Sequence, residues 1–263
     1  MRKFKRFLKK LIRTLLFIAV PVSAAVGGTY VYNNYIKEPG IPSVNKLIKE
    51  KKENNFSDKD DNKIDVPAEN YENPLPGLRD QYGNYDIMGK LVVPNLGIDA
   101  IIMRTDNNEF YLDNSVYREW DGLGVPFFDY RNTNLSEDWQ INIYGHNTKR
   151  EEFYDQLPLT NLEAYADEEI FKNYKDVYLF LDERQVNYEV VAVKVLTDGS
   201  NEHMKVIFRN SADYLQHINR IVEGSMYRSD NSTFTADDRS LIMQICHYDP
   251  DGSYLLVICK EKK

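Results

Sequence analysis

Apolar and polar positions along the last two thirds of the chain fall into short runs of strand length, and a helical period persists at one place. Residues 90–93, entered through Gly89, and 98–103 flank Pro94-Asn95-Leu96-Gly97 and predict a β-hairpin. Residues 125–129 predict a strand with an irregular start at Pro126. Residues 140–144 predict another, with Gly145 turning the backbone after it. Residues 177–181 and 186–195 face each other across Asp182-Glu183-Arg184-Gln185. Residues 241–246 and 254–258 do the same across Asp249-Pro250-Asp251-Gly252. The helical period lies in Tyr214, Leu215, Ile218, Ile221 and Val222, opened by Ser211-Ala212-Asp213 and stopped by Glu223-Gly224. Residues 78–85, 153–157 and 162–166 predict shorter helical pieces, with Asp167-Glu168-Glu169 as a polar turn or cap. Residues 203–208 fit either a strand or a loop, and 225–239 form a polar connection. Strands that follow one another without alternating helices exclude βαβ units. The fold class is mainly β, a barrel or sandwich with N-terminal helical decoration and one inserted helix.

The start of the chain has a different pattern. Arg2, Lys3, Lys5, Arg6, Lys9, Lys10 and Arg13 precede a charge-free stretch, 14–32, long enough to cross a bilayer. Residues 1–36 therefore predict a basic flank and single-pass anchor, with a cytoplasmic N-terminus and an extracellular body. Val22-Ser23-Ala24 also fits a signal-peptidase site, but the apolar run continues beyond it through Val26 and Val31, which favours an uncleaved anchor. Residues 37–70 are polar and charged and read as a stalk, and residues 71–263 as the folded domain. The formal net charge of -8 argues against a nucleic-acid partner.

Candidate chemistry narrows to two strand ends. Cys246 closes one apolar run, and His146, in Tyr144-Gly145-His146-Asn147, follows another. A strand end can hold a nucleophile rigidly and still leave it reachable. An inert buried thiol fits the same pattern. Of the two cysteines, Cys259 reads as a core filler out of disulfide reach of Cys246. His247 falls on the opposite strand face from Cys246 and reads as a structural histidine. No Cys/His or carboxylate cluster has metal-site spacing, so no metal or cofactor is expected.

Taken together, the anchor, Tyr144-Gly145-His146-Asn147, the strand closing on Cys246 and the final hydrophobic strand ending in lysines resemble the sortases, membrane-anchored cysteine transpeptidases. Asp106-Asn107-Asn108-Glu109-Phe110-Tyr111-Leu112 and the segment from Phe208-Arg209-Asn210 through Arg220 are similar to class B. The resemblance spans about residues 71–260 and implies the eight-stranded sortase β-barrel with N-terminal helices packed on it. It departs from the family at two places. Ile245 stands where the family has a threonine, and Tyr254, or Ser253 with a one-residue shift, stands where it has an arginine. The resemblance implies Cys246 as nucleophile and His146 as acid. It implies a sorting-motif peptide as substrate and an amine of the cell wall or a pilin as acceptor, served by a monomeric ectodomain. Tyr254 or the Cys246 backbone N–H is left to hold the oxyanion. A catalytically impaired binder of sorting peptides and a structural surface ectodomain are the alternatives.

Overall fold

The computed structural model describes residues 71–263 except 151, 152, 154, 155 and 198–200. The expected anchor and stalk lie outside the described residues. Among the described residues, no helix is long and apolar enough to cross a membrane.

The chain enters through helix α1 (Leu75–Tyr82) and the hairpin β1 (Ile87–Val93) and β2 (Ile98–Met103). Then come β3 (Phe127–Phe128), β4 (Gln140–Gly145), helix α2 (Glu168–Asn173), β5 (Asp176–Phe180) and β6 (Gln185–Leu196). Helix α3 (Ser211–Val222), β7 (Tyr227–Arg228), β8 (Ser240–Tyr248) and β9 (Asp251–Glu261) complete it. The strands run β5-β1-β2-β3-β4-β8-β9-β6, and β5 pairs with β6 as well as with β1. That double pairing closes an eight-stranded barrel, with β7 a short addition on β6. Closure removes the unpaired edges of the sheet. Most pairs are antiparallel, but β2 and β3 run parallel at Met103↔Phe127, and β4 and β8 run parallel from Gln140↔Ser240 to Gly145↔Ile245.

Alternation along β8 explains the two-sided burial. Leu241, Met243 and Ile245 fill the barrel interior, whereas Ile242 faces outwards with Leu256 and Ile258 of β9. This outer apolar stripe is covered by α3, which buries Tyr214, His217, Ile218, Ile221 and Val222 against it. Each fully buried aliphatic side chain there contributes about 1.5–3 kcal/mol of hydrophobic stabilisation. Leu215 packs at the edge of that interface rather than in it.

Several local expectations shift for identifiable reasons. Helix α1 starts before Leu78, because Pro76 suits a first turn and Asn73 Oδ1 accepts the Leu75 N–H at 2.9 Å. Asp167 caps α2 by accepting from the Glu169 and Ile170 N–H groups, so the acidic turn is a helix start. Asn210 caps α3, one residue before the expected opening. The strand expected over 125–129 is only two residues, and 203–208 begins as a 3-10 turn, Glu202–Met204. Gly145 does not turn the chain. It ends β4 with ordinary backbone, and a Cβ there would stand 2.7 Å from Leu159 Cδ1, so any larger residue would have to push the buried Leu159 side chain aside.

Candidate active site

Three adjacent strands bring the candidate residues into one row. Gly145 of β4 pairs with Ile245 of β8, so His146 and Cys246 are the next residues at the same level on parallel neighbours. In the antiparallel β8–β9 ladder, Cys246 pairs with Tyr254. Ile245 points into the barrel, which sends Cys246 and its row to the outer face. His146, Cys246 and Tyr254 there line one cavity of about 310 Å³ with Asn108, Leu112, Phe127, Tyr144, Gly145, Met204 and Gln244. The alternative at the head of β9 separates cleanly. Ser253 pairs with His247, is buried, and donates from Oγ to the Pro250 carbonyl at 2.6 Å. It does not line the cavity.

No family model matches the chain. Sortase B of Listeria monocytogenes is 28% identical over 176 residues, covering 66% of this chain and 68% of the relative. The structure of Clostridium perfringens sortase B superposes with a TM-score of 0.64 at 25% identity, over 72% of this chain and all of that one. Staphylococcus aureus sortase B, solved as a substrate complex, shares the fold with a TM-score of 0.63 at 19% identity, over 84% of this chain and 92% of that one. A sortase B solved with triglycine matches equally well, over 84% of this chain and 94% of that one. The chain is a class B-like member of the sortase family. Its reaction class is that of a sortase-like cysteine transpeptidase.

In this sortase the Cys246 thiol is half-buried, and burial pushes its pKa above the ordinary thiol value. The backbone N–H groups of Asn147 and Cys246 pull the other way. Cys259 lies in the barrel core, opposite Leu241 on β8, and burial drives its pKa far higher, so it is the inert thiol of the two. Neither cysteine is in a disulfide. The His146 ring is fixed from outside the strand row, with Nε2 2.7 Å from the Leu112 carbonyl oxygen.

Behind the row, Asn147 ties the histidine loop to the cysteine strand. Its Nδ2 donates to the Cys246 carbonyl at 2.8 Å and to Glu163 Oε2 at 3.0 Å, while its own carbonyl accepts from the Tyr248 hydroxyl at 2.7 Å. Glu163 Oε1 lies 2.7 Å from His247 Nδ1. Burial raises the pKa of Glu163, and the neighbouring His247 counteracts it. His247 faces away from Cys246, and as a structural histidine it belongs to this support.

A polar layer holds the other cavity wall. Gln140 and Asn142 project outwards from β4 and donate to the His203 carbonyl, at 3.2 and 2.9 Å. Arg131 Nη2 donates to the Met204 carbonyl and to Asp129 Oδ2, both at 2.6 Å. Burial raises the pKa of Asp129, yet its bonds from Arg131, Tyr144 and Asn108 outweigh that and hold it below the usual carboxylate range. Met204 is thereby fixed as an apolar wall beside Gln244 and Cys246.

Proposed function

We propose that this sortase cleaves a surface-protein sorting peptide through a thioacyl enzyme and passes the acyl group to an amine. The Cys246 thiolate adds to the scissile carbonyl carbon, and the Tyr254 hydroxyl and backbone N–H groups receive the resulting oxyanion. Collapse breaks the C–N bond, and the leaving amine takes its proton from the His146 imidazolium. The acceptor amine then attacks the thioester, gives a proton to neutral His146, and releases the Cys246 thiolate. The balance closes without a cofactor.

One observation carries this reading: the row His146, Cys246, Tyr254 across β4, β8 and β9, opening into a single cavity. The substrate complex of the staphylococcal relative and the triglycine complex of a sortase B support a peptide donor and an amine acceptor. Residues 14–32 are proposed to anchor the domain to the cell membrane, with the body outside, so that both the surface protein and the cell-wall or pilin amine are within reach. The test uses a labelled sorting peptide, with acyl-enzyme followed by mass spectrometry and amine release by turnover. Cys246→Ala is expected to abolish the acyl-enzyme, and His146→Ala to slow turnover by about a hundredfold or more. An acyl-enzyme surviving in Cys246→Ala overturns the assignment.

A second reading, a sortase-like peptide binder with little turnover, draws on a different observation. Among the described residues, no lysine or arginine lines the cavity. Peptide binding without acyl-enzyme in the parent would select it.

A further inference from the structure

The His146 ring is held by a backbone group rather than by a side chain. His146 Nε2 meets the Leu112 carbonyl at 2.7 Å. A carbonyl only accepts, so Nε2 must carry the proton, and Nδ1 is the ring nitrogen left for a substrate amine. The carbonyl is not free to move away. Leu112 ends the 3-10 turn Phe110–Leu112, whose entry is capped by Asn107 Oδ1 accepting from the Glu109 and Phe110 N–H groups at 2.9 and 2.8 Å. Tyr111 is buried, with its hydroxyl donating to Asp86 Oδ2 at 2.7 Å, and its carbonyl accepts from the Val125 N–H at 3.1 Å.

Gly124 sits against this same turn. Its φ is +58°, and a Cβ there would lie 2.4 Å from the Tyr111 oxygen, 2.5 Å from the Leu112 oxygen and 2.8 Å from the Leu112 carbonyl carbon. Those are backbone atoms of an anchored turn, so any side chain at 124 must displace the carbonyl that His146 meets. A left-handed φ alone would favour glycine, but only the close approach couples residue 124 to the histidine.

We propose that the Leu112 carbonyl, pinned by Gly124, is the orienting acceptor that sets the tautomer of His146, which makes Gly124 a positioning residue of the site. This rests on the reading of His146 as the proton donor and acceptor of the transpeptidase. In cysteine and serine enzymes the base is turned by a third group, and a buried carboxylate often serves. Here a main-chain oxygen does so, and the Asp106–Leu112 segment exists to present it.

The experiment uses the full chain with 15N-labelled histidine and long-range 15N–1H correlation. His146→Gln identifies the His146 signals among the four histidines. Neutral His146 is expected as the Nε2–H tautomer, and a dominant Nδ1–H tautomer overturns the proposal without any variant at 124. Gly124→Ala is expected to mix the tautomers and to lower kcat by up to about a hundredfold with KM little changed. Gly97→Ala is the control. Gly97 has a φ of +64° with nothing within 4 Å of an added Cβ, so it carries the same backbone penalty without the displacement. Equal losses in Gly124→Ala and Gly97→Ala, or a parental tautomer and kcat in Gly124→Ala, overturn the proposal. If His146→Gln keeps parental turnover, the catalytic reading falls and the proposal with it. An inactive His146→Gln beside an unaffected Gly124→Ala sinks the proposal alone.

Discussion

Tyr254 stands directly opposite Cys246 in the β8–β9 ladder, and both line the same cavity. The Tyr254 ring packs against the apolar stripe under α3. Tyr254→Phe keeps that packing and removes only the hydroxyl. It should lower kcat/KM by roughly ten- to a thousandfold while leaving the melting temperature nearly constant. Tyr254→Arg should raise turnover by adding a cation at the oxyanion. A phenylalanine variant as fast as the parent would leave the oxyanion to backbone donors.

The Asn147 bridge predicts a different signature. Asn147→Ala removes the bonds to Cys246 and Glu163 and should lower kcat by about ten- to a hundredfold, because the histidine loop loses its register on β8. Glu163→Gln retains an acceptor for the Asn147 amide and should cost less. Steady-state kinetics on both variants decide the matter, and a larger loss in Glu163→Gln would reverse the assignment.

Cys246 is predicted to alkylate with a pH midpoint above that of a free thiol, because burial disfavours its thiolate. Rates of iodoacetamide modification between neutral and alkaline pH measure it. Cys259 should remain unmodified in the folded chain. A midpoint below the ordinary thiol range would overturn the burial argument.

His217 makes stability depend on acid. Both ring nitrogens lack hydrogen bonds, and its pKa is pushed down to about 4 by burial and then by Lys205, with Asp213 opposing and His203 adding slightly. The unfolded chain, with an ordinary histidine near 6.5, binds the proton first on acidification. Stability from this group is therefore complete above about pH 6.5 and is lost as the pH falls towards 4. The loss across that window is about 3 kcal/mol. Urea melts at several pH values should show that slope in the parent and a flatter one in His217→Leu. Identical slopes would refute it.

Within α3, Ile218→Ala should cost about 2–5 kcal/mol, since Ile218 is fully buried against β6, β8 and β9. Leu215→Ala, at the interface edge, should cost about 1 kcal/mol or less. Midpoints of denaturant unfolding rank the two, and equal costs would count against the packing described.

The barrel's apolar strands and α3 were legible because they follow periods of two and 3.6 residues that burial imposes directly. The hairpin partner β2 came out residue for residue, and α3 ended where expected but took its cap from Asn210. The ends of β8 and β9 did not. Polar Tyr248 and Asp251 still pair in the ladder, and ladder hydrogen bonds leave no hydropathic trace. His146 and Cys246 were visible as side chains at strand ends, whereas Tyr254 came only from the resemblance to the sortases, which left Ser253 open beside it. The Leu112 carbonyl was not visible, because a main-chain oxygen has no residue type. Gly124 was visible only as one glycine in a loop. Glu163 had one faint signal, an acid inside the apolar stretch 160–166, and nothing in its spacing linked it to Asn147 or His247.

The place of β9 in the barrel has a consequence for how the molecule is made. β9 is translated after every other described strand, yet it lies between β8 and β6, inside the sheet rather than at its margin. Until it emerges, β8 has a partner only in β4, α3 lacks half of the stripe it covers, and the wall has a gap. A growing chain therefore holds the histidine strand and the cysteine strand without a closed scaffold to align them. The row of His146, Cys246 and Tyr254 is complete only once the last of these strands has slotted between two that were made long before it.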